Sequence, residues 1–300
     1  MTVPRNGKNE VMNVELLCEG LHFAEGPRWH AGKLWFSDFY DHEVKTVDGH
    51  GKVEPKLTVS AQPSGLGWLP DGRLLVVSML DRQVLRLDDD EVVVHADLSE
   101  IAEFHCNDMV VDSVGRAYVG NFGFDLHAAE RSDDFVAALK AYKGATLARV
   151  DLDGSVQVAA TALRFPNGTV ITPDGRMMII AETLGTRLTA FDIAGDGSLT
   201  NQRVWAELPG ISPDGICLDA EGAVWVADAL SPRCIRVGAD GELLQEVATE
   251  QHCYACMLGG DDGQTLFMLT ARDSSPAVAG GDRTGRILTT RVSSGHAGLP

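Results

Sequence analysis

The chain has 300 residues, with 43 Asp and Glu against 25 Lys and Arg, a formal net charge of −18 and 44% hydrophobic residues. That balance speaks against nucleic acid or an anionic membrane surface as a partner, because phosphate binding needs clustered Lys and Arg. No apolar run reaches the ~18 residues of a membrane-spanning helix, and 32 Gly against 12 Pro favour many tight turns between short strands.

The first residues, MTVPRNGKNE, lack the basic-then-apolar layout of a secretory leader and are expected to be flexible over 1–10. Cys18, Cys106, Cys217, Cys234, Cys253 and Cys256 are too sparse for a disulfide scaffold. We therefore expect reduced thiols and a cytoplasmic protein. Cys253 and Cys256 form a CxxC without a second pair for zinc, so they read as strand-lining thiols.

From residue 25 onward one unit recurs: a polar residue, an apolar strand, a glycine turn and a second apolar strand. The copies open at Glu25, Ser64, Asn107, Asn167, Asp214 and Tyr254, and most intervals match the about 40 residues of a four-stranded blade. The long interval, from 107 to 167, carries an insertion over 122–145 that we place near the channel mouth. Within it Asp133–Tyr142 reads as a short helix, with Phe135, Val136, Leu139 and Tyr142 at helical spacing. A sandwich has no reason to repeat such a unit six times. The expected fold is all-β: one six-bladed β-propeller domain over 1–300, with a central metal site and a helical insertion in blade three. Val11 to Leu17 is expected to add an outer strand to the blade containing Arg286–Val292, closing the ring through both termini.

In a propeller the innermost strands line the axial channel, so the opening residues face one another. Two carboxylates and two amides there suit a hard divalent ion such as Ca²⁺, Mg²⁺ or Mn²⁺, or Zn²⁺; no His or Cys joins this register. Asn167-Gly168 and Asp214-Gly215 could instead be hairpin turns. Register opposes this, because the turn glycines Gly32, Gly72, Gly115, Gly175, Gly222 and Gly263 follow the opening residues by seven to nine positions in every copy. Asp38, Glu182 and Asp228 end second strands in matched positions and read mainly as acceptors that brace their blades.

The segments EGPRW, CNDM, FPNGT and SPDGICLD, in this order and spacing, resemble the regucalcin–gluconolactonase family of six-bladed propellers. The resemblance implies that Glu25, Asn167 and Asp214 hold one divalent cation, Ca²⁺ foremost. It further implies that Asn107 contacts substrate, and that a sugar lactone or related ester is hydrolysed with Asp214 as general acid/base. A carboxylate at Asp214 can accept the proton of an attacking water and return it to the leaving alkoxide.

The sequence departs from the family at His105, where sugar-lactone-cleaving relatives often carry an Arg that reaches substrate hydroxyls. His105 is either a substrate contact or a structural histidine. The loop Asn121-Phe122-Gly123-Phe124-Asp125 corresponds to a substrate-covering region, with Asn121 and Asp125 as candidate contacts. Its two Phe residues suit a less polar substrate, or else pack beneath the insertion. Competing readings are a phosphotriesterase-like hydrolase and a non-catalytic binding propeller with a structural metal. The oligomeric state and the role of the insertion, as lid or interface, are left open by the sequence.

Overall fold

The computed structural model describes residues 12–132 and 134–300. They form six four-stranded sheets, every neighbouring pair antiparallel, and the innermost strands contact one another in a closed cycle. This is a six-bladed β-propeller. The innermost strands are Ala24–His30, Pro63–Trp68, Cys106–Val111, Pro166–Ile171, Pro213–Leu218 and His252–Gly259. They are buried almost throughout because neighbouring blades stack on both faces, the polar opening residues other than Asn167 included. Outer strands such as Glu91–Asp97 and Val156–Leu163 mix exposed with part-buried residues, as a surface strand should.

Blade 6 runs His252–Gly259, Thr265–Ala271 and Gly285–Arg291, and its outer strand is Glu15–Leu21 from the N-terminus. The pairing Glu15↔Thr289 to Leu21↔Gly285 closes the ring with an N-terminal strand in the expected blade, shifted a few residues along the chain. The expectations for residues 1–10, Val11 and Asp133 fall outside the described residues. At the rear of the channel the C-terminal tail crosses blades 4 and 5. Ile171 and Leu299 exchange backbone hydrogen bonds of 2.8 and 2.9 Å, and the Ala297 N–H donates to Leu218 O at 3.0 Å.

The six turn glycines all adopt left-handed φ, between 69° and 92°, as a tight turn between paired strands demands. Gly168 and Gly215 do not. A Cβ on Gly168 would lie 2.5 Å from the Ile216 nitrogen, and one on Gly215 would lie 2.6 Å from the Ala255 Cα. These glycines let adjacent inner strands approach closely, so Asn167-Gly168 and Asp214-Gly215 sit within strands and are not hairpin turns.

The insertion in blade 3 holds two helices where one was expected: α1 (Leu126–Glu130) and α2 (Phe135–Ala141). The extra helix has a local cause. The Asp125 carboxylate accepts from the Ala128 N–H at 2.8 Å and so caps the first turn.

Candidate active site at the channel mouth

Each inner strand pairs regularly with its neighbour except at one point, and that point is the same in all six blades. The register slips at or beside the opening polar residue: between Glu25 and Arg28, Pro63 and Leu66, Cys106 and Met109, Pro166 and Thr169, Pro213 and Ile216, and Cys253 and Ala255. Such a bulge frees a residue from the ladder and re-aims its side chain. It delivers Glu25, Ser64, Asn107, Asn167, Asp214 and Tyr254 together to the wall of one cavity of about 450 Å³.

Above this floor the cavity wall is built by a second repeated device. In blades 1 to 5 the residue after the second strand donates its N–H to the carbonyl of the residue two before the opening position. Phe39 donates to Phe23 at 3.0 Å, Met79 to Gln62 at 2.8 Å and Phe122 to His105 at 2.9 Å. Thr183 donates to Phe165 at 3.1 Å, and Ala229 to Ser212 at 3.0 Å. All ten side chains line the cavity, and Leu126, His127 and Glu130 of α1 with Phe135 and Leu139 of α2 complete its rim.

The floor is electrostatically unbalanced. Burial, then the nearby Asp108, pushes the Glu25 carboxyl up to about 8; its one backbone partner is the Gly26 N–H at 3.0 Å. Burial and the charges of Glu25 and Asp108 hold Asp214 well above the ordinary carboxylate range. The nearby cation, Arg28, is engaged elsewhere. It pairs with Asp108 at 3.4 Å, donates to Leu66 O at 2.9 Å and Pro27 O at 2.7 Å, and also bonds Met109 O.

The amides point the same way. Asn167 Nδ2 donates to Thr183 Oγ1 at 3.2 Å, and that hydroxyl donates to Pro213 O at 2.8 Å; among the described residues Asn167 Oδ1 has no partner. Asn107 Nδ2 donates to Pro166 O at 2.9 Å, while its buried Oδ1 has none. Two carboxylates without a cation of their own and amide oxygens without donors fit a hard divalent ion. Among the described residues no three His, Cys, Asp or Glu converge as a metal cage; the donor set here is mixed, two carboxylates and amides.

The other residues singled out from the sequence divide. His105 lines the cavity, stacked on Phe104 at 4.0 Å, and burial holds its pKa below the ordinary 6.5. Asn121 and Asp125 do not line it. Asn121 is fully buried, donating to Thr146 O at 2.7 Å and accepting from the Gly123 N–H at 2.8 Å. It ends the second strand of blade 3, the position held elsewhere by Asp38, Glu182 and Asp228, and it braces its blade as they do. Asp125 is exposed and caps α1. Its acidic character serves the helix N-terminus rather than the cavity.

Asp108 was missed. The residue after each opening position is small in every other copy (Gly26, Gly65, Gly168, Gly215, Ala255), as the close approach of inner strands requires. Blade 3 breaks that rule with a carboxylate, and this departure was the available signal.

A profile described as "SMP-30/Gluconolactonase/LRE-like region" matches residues 23–272. The chain is 26% identical over 266 residues to regucalcin of Bos taurus, covering 86% of each protein. It is also 26% identical over 286 residues to the pentonolactonase XacC of Haloferax volcanii, covering 90% of each. It superposes on the crystal structure of a calcium-binding protein, regucalcin, from Agrobacterium tumefaciens with a TM-score of 0.76 at 19% identity, over 96% of this chain and 97% of the other. That last likeness bears on the fold alone.

Proposed function

The chain belongs to the SMP-30/gluconolactonase/LRE-like family, and from that premise we propose that it is a divalent-metal-dependent hydrolase that opens a lactone. The observation that carries this reading is the pair Glu25 and Asp214, buried on the floor of an open cavity without a cation of their own. Glu25, Asn167 and Asp214 would hold the ion, Ca²⁺ foremost. When bound, it polarises the ester carbonyl and lowers the pKa of a coordinated water. The pentonolactonase relative supports the lactone-opening assignment.

The chain's own residues supply the remaining chemistry. Asn107, held by Pro166 O, orients the substrate with its amide. Asp214 accepts the proton of the water that attacks the carbonyl carbon and passes it to the ring oxygen as the C–O bond breaks. The product is the open hydroxy acid. Thr183 fixes the Asn167 amide, and Arg28 with Asp108 fixes the floor beneath the reacting atoms. His105, neutral and set in the wall, contacts the substrate away from the reacting carbonyl. We keep a cytoplasmic setting as part of this reading, supported by six buried free thiols.

Elemental analysis of the purified protein, with a pH-indicator assay over lactones and a phosphotriester control, tests the proposal. About one divalent ion per chain is expected. Asp214→Ala should lose the ion and lower kcat/KM at least about a thousandfold, within the range general-base removal produces. Full activity in Asp214→Ala, or in chelated protein, would overturn it.

A further inference from the structure

We infer that the cavity is built for an uncharged cyclic ester bearing an apolar substituent, in preference to a polyhydroxylated or anionic lactone. This rests on the lactonase reading for its chemistry and on the cavity wall for its specificity. The polar residues lie on the floor, where the ester is opened. The wall that meets the rest of the substrate is dominated by Phe23, Phe39, Phe122 and Phe165, with Leu126 and Phe135 above them. The aromatic rings also lie against one another: Phe23 and Phe39 have centroids 5.3 Å apart, and Phe122 and Phe165 4.7 Å apart. A continuous apolar surface of this kind gains free energy from alkyl or aryl carbon.

The same wall offers sugar hydroxyls few side-chain partners, chiefly Gln62, His105 and Ser212. The Thr183 hydroxyl is occupied by Asn167 and Pro213, and the Tyr40 hydroxyl donates to Ser274 O at 2.7 Å. Hydroxyls pressed against Phe rings would lose water without gaining partners, which costs free energy for each group left unpaired. Charge selects in the same direction. Among the described residues no Lys or Arg lines the cavity, while Glu25, Asp108 and Asp214 occupy its floor and Glu130 its rim. A phosphorylated or sulfonated lactone would bring an anion into this field with no fixed cation to receive it. The two imidazoles of the wall do not supply one. Burial keeps His105 below its ordinary pKa, and His127 already faces Glu130 at 3.2 Å.

The test compares the metal-loaded protein on a δ-lactone carrying a pentyl chain, on glucono-δ-lactone and on its 6-phosphate, with calorimetric binding of the pentyl and polyhydroxylated δ-lactams alongside. The pentyl lactone should be favoured in kcat/KM by at least about tenfold, the amount one methylene is worth in an apolar pocket, and the phosphate should be slowest. Phe122→Ser and Phe165→Thr should each narrow the preference, and Phe122, only half-buried, keeps this arm open if the Phe165 variant fails to fold. Preference for glucono-δ-lactone or its phosphate, or equal binding of the two lactams, would overturn the inference and leave the lactonase reading intact. Tighter binding of the pentyl lactam with none of the three lactones opened would support the apolar cavity and remove the lactonase reading instead.

Discussion

Blades 1, 4 and 5 each carry two oxygen-bearing side chains in equivalent registers, all buried except the part-buried Asn167, and the two sets differ in what faces them. Asp38, Glu182 and Asp228 end the second strands and are fully buried. Each has a cation from the third strand: Lys45 at 2.9 Å, Arg187 at 2.8 Å and Arg233 at 3.0 Å. Each also accepts backbone N–H groups: Phe23 at 2.9 Å for Asp38, Arg164 at 2.6 Å for Glu182 and Ser212 at 3.2 Å for Asp228. Glu25, Asn167 and Asp214 open the inner strands of the same blades and, among the described residues, have no cation of their own; Glu25 accepts only the neighbouring Gly26 N–H, at 3.0 Å. Burial alone therefore does not mark the functional set. The missing counter-charge does, because a buried carboxylate without one is stable only if it is protonated or bound to a cation.

The contrast can be broken most forcefully at Asp228. Asp228→Ala would leave Arg233 with only the more exposed Glu246 at 3.3 Å and take the acceptor from the Ser212 and Leu230 N–H groups, with an expected loss of about 3 kcal/mol in denaturant unfolding. A loss below about 1 kcal/mol would put the bracing role in doubt.

The next effect concerns pH in chelated protein. Folded Glu25 keeps its proton up to about 8, whereas an unfolded chain releases it near 4.5. The folded state thus binds more protons between those values, and stability must fall as pH rises from 4.5 through 8. The denaturation midpoint of metal-free protein should drop across that window and recover at pH 8 when a divalent ion is added. A flat profile would mean that the floor is not strained by its own charge.

A smaller change of opposite sign is expected at Asp214. At pH 8 without metal, Asp214→Asn should leave stability unchanged or raise it by about 1 kcal/mol, since it removes a desolvated, repelled carboxylate. A loss as large as that of Asp228→Ala would erase the distinction between the two rings. The smallest effect is assigned to Asp125→Ala, which should cost about 1 kcal/mol through lost capping of α1 and leave KM unchanged. A several-fold rise in KM would return Asp125 to the substrate.

The sequence by itself determined the blades, their turns and the six opening residues. Those features depend on local chemistry: apolar strands, glycines at left-handed turns, and a polar residue at constant phase. The turn glycines and the in-strand Gly168 and Gly215 behave as that phase requires.

Tertiary structure decided what the phase could not. Asn121 and Asp125 look like loop contacts in sequence, yet Asn121 braces its blade, because Thr146 meets it only when the insertion folds back, and Asp125 is taken up by the first turn of the helix it caps. Asp108 faces Arg28 across two blade boundaries, from 80 residues away. The bulges that turn the ring inward, the hydrogen-bonded pairs that raise an aromatic wall above it and the C-terminal tail behind it all arise between strands rather than along them. Which groups face one another, and which are left without a partner, is settled only when the ring closes.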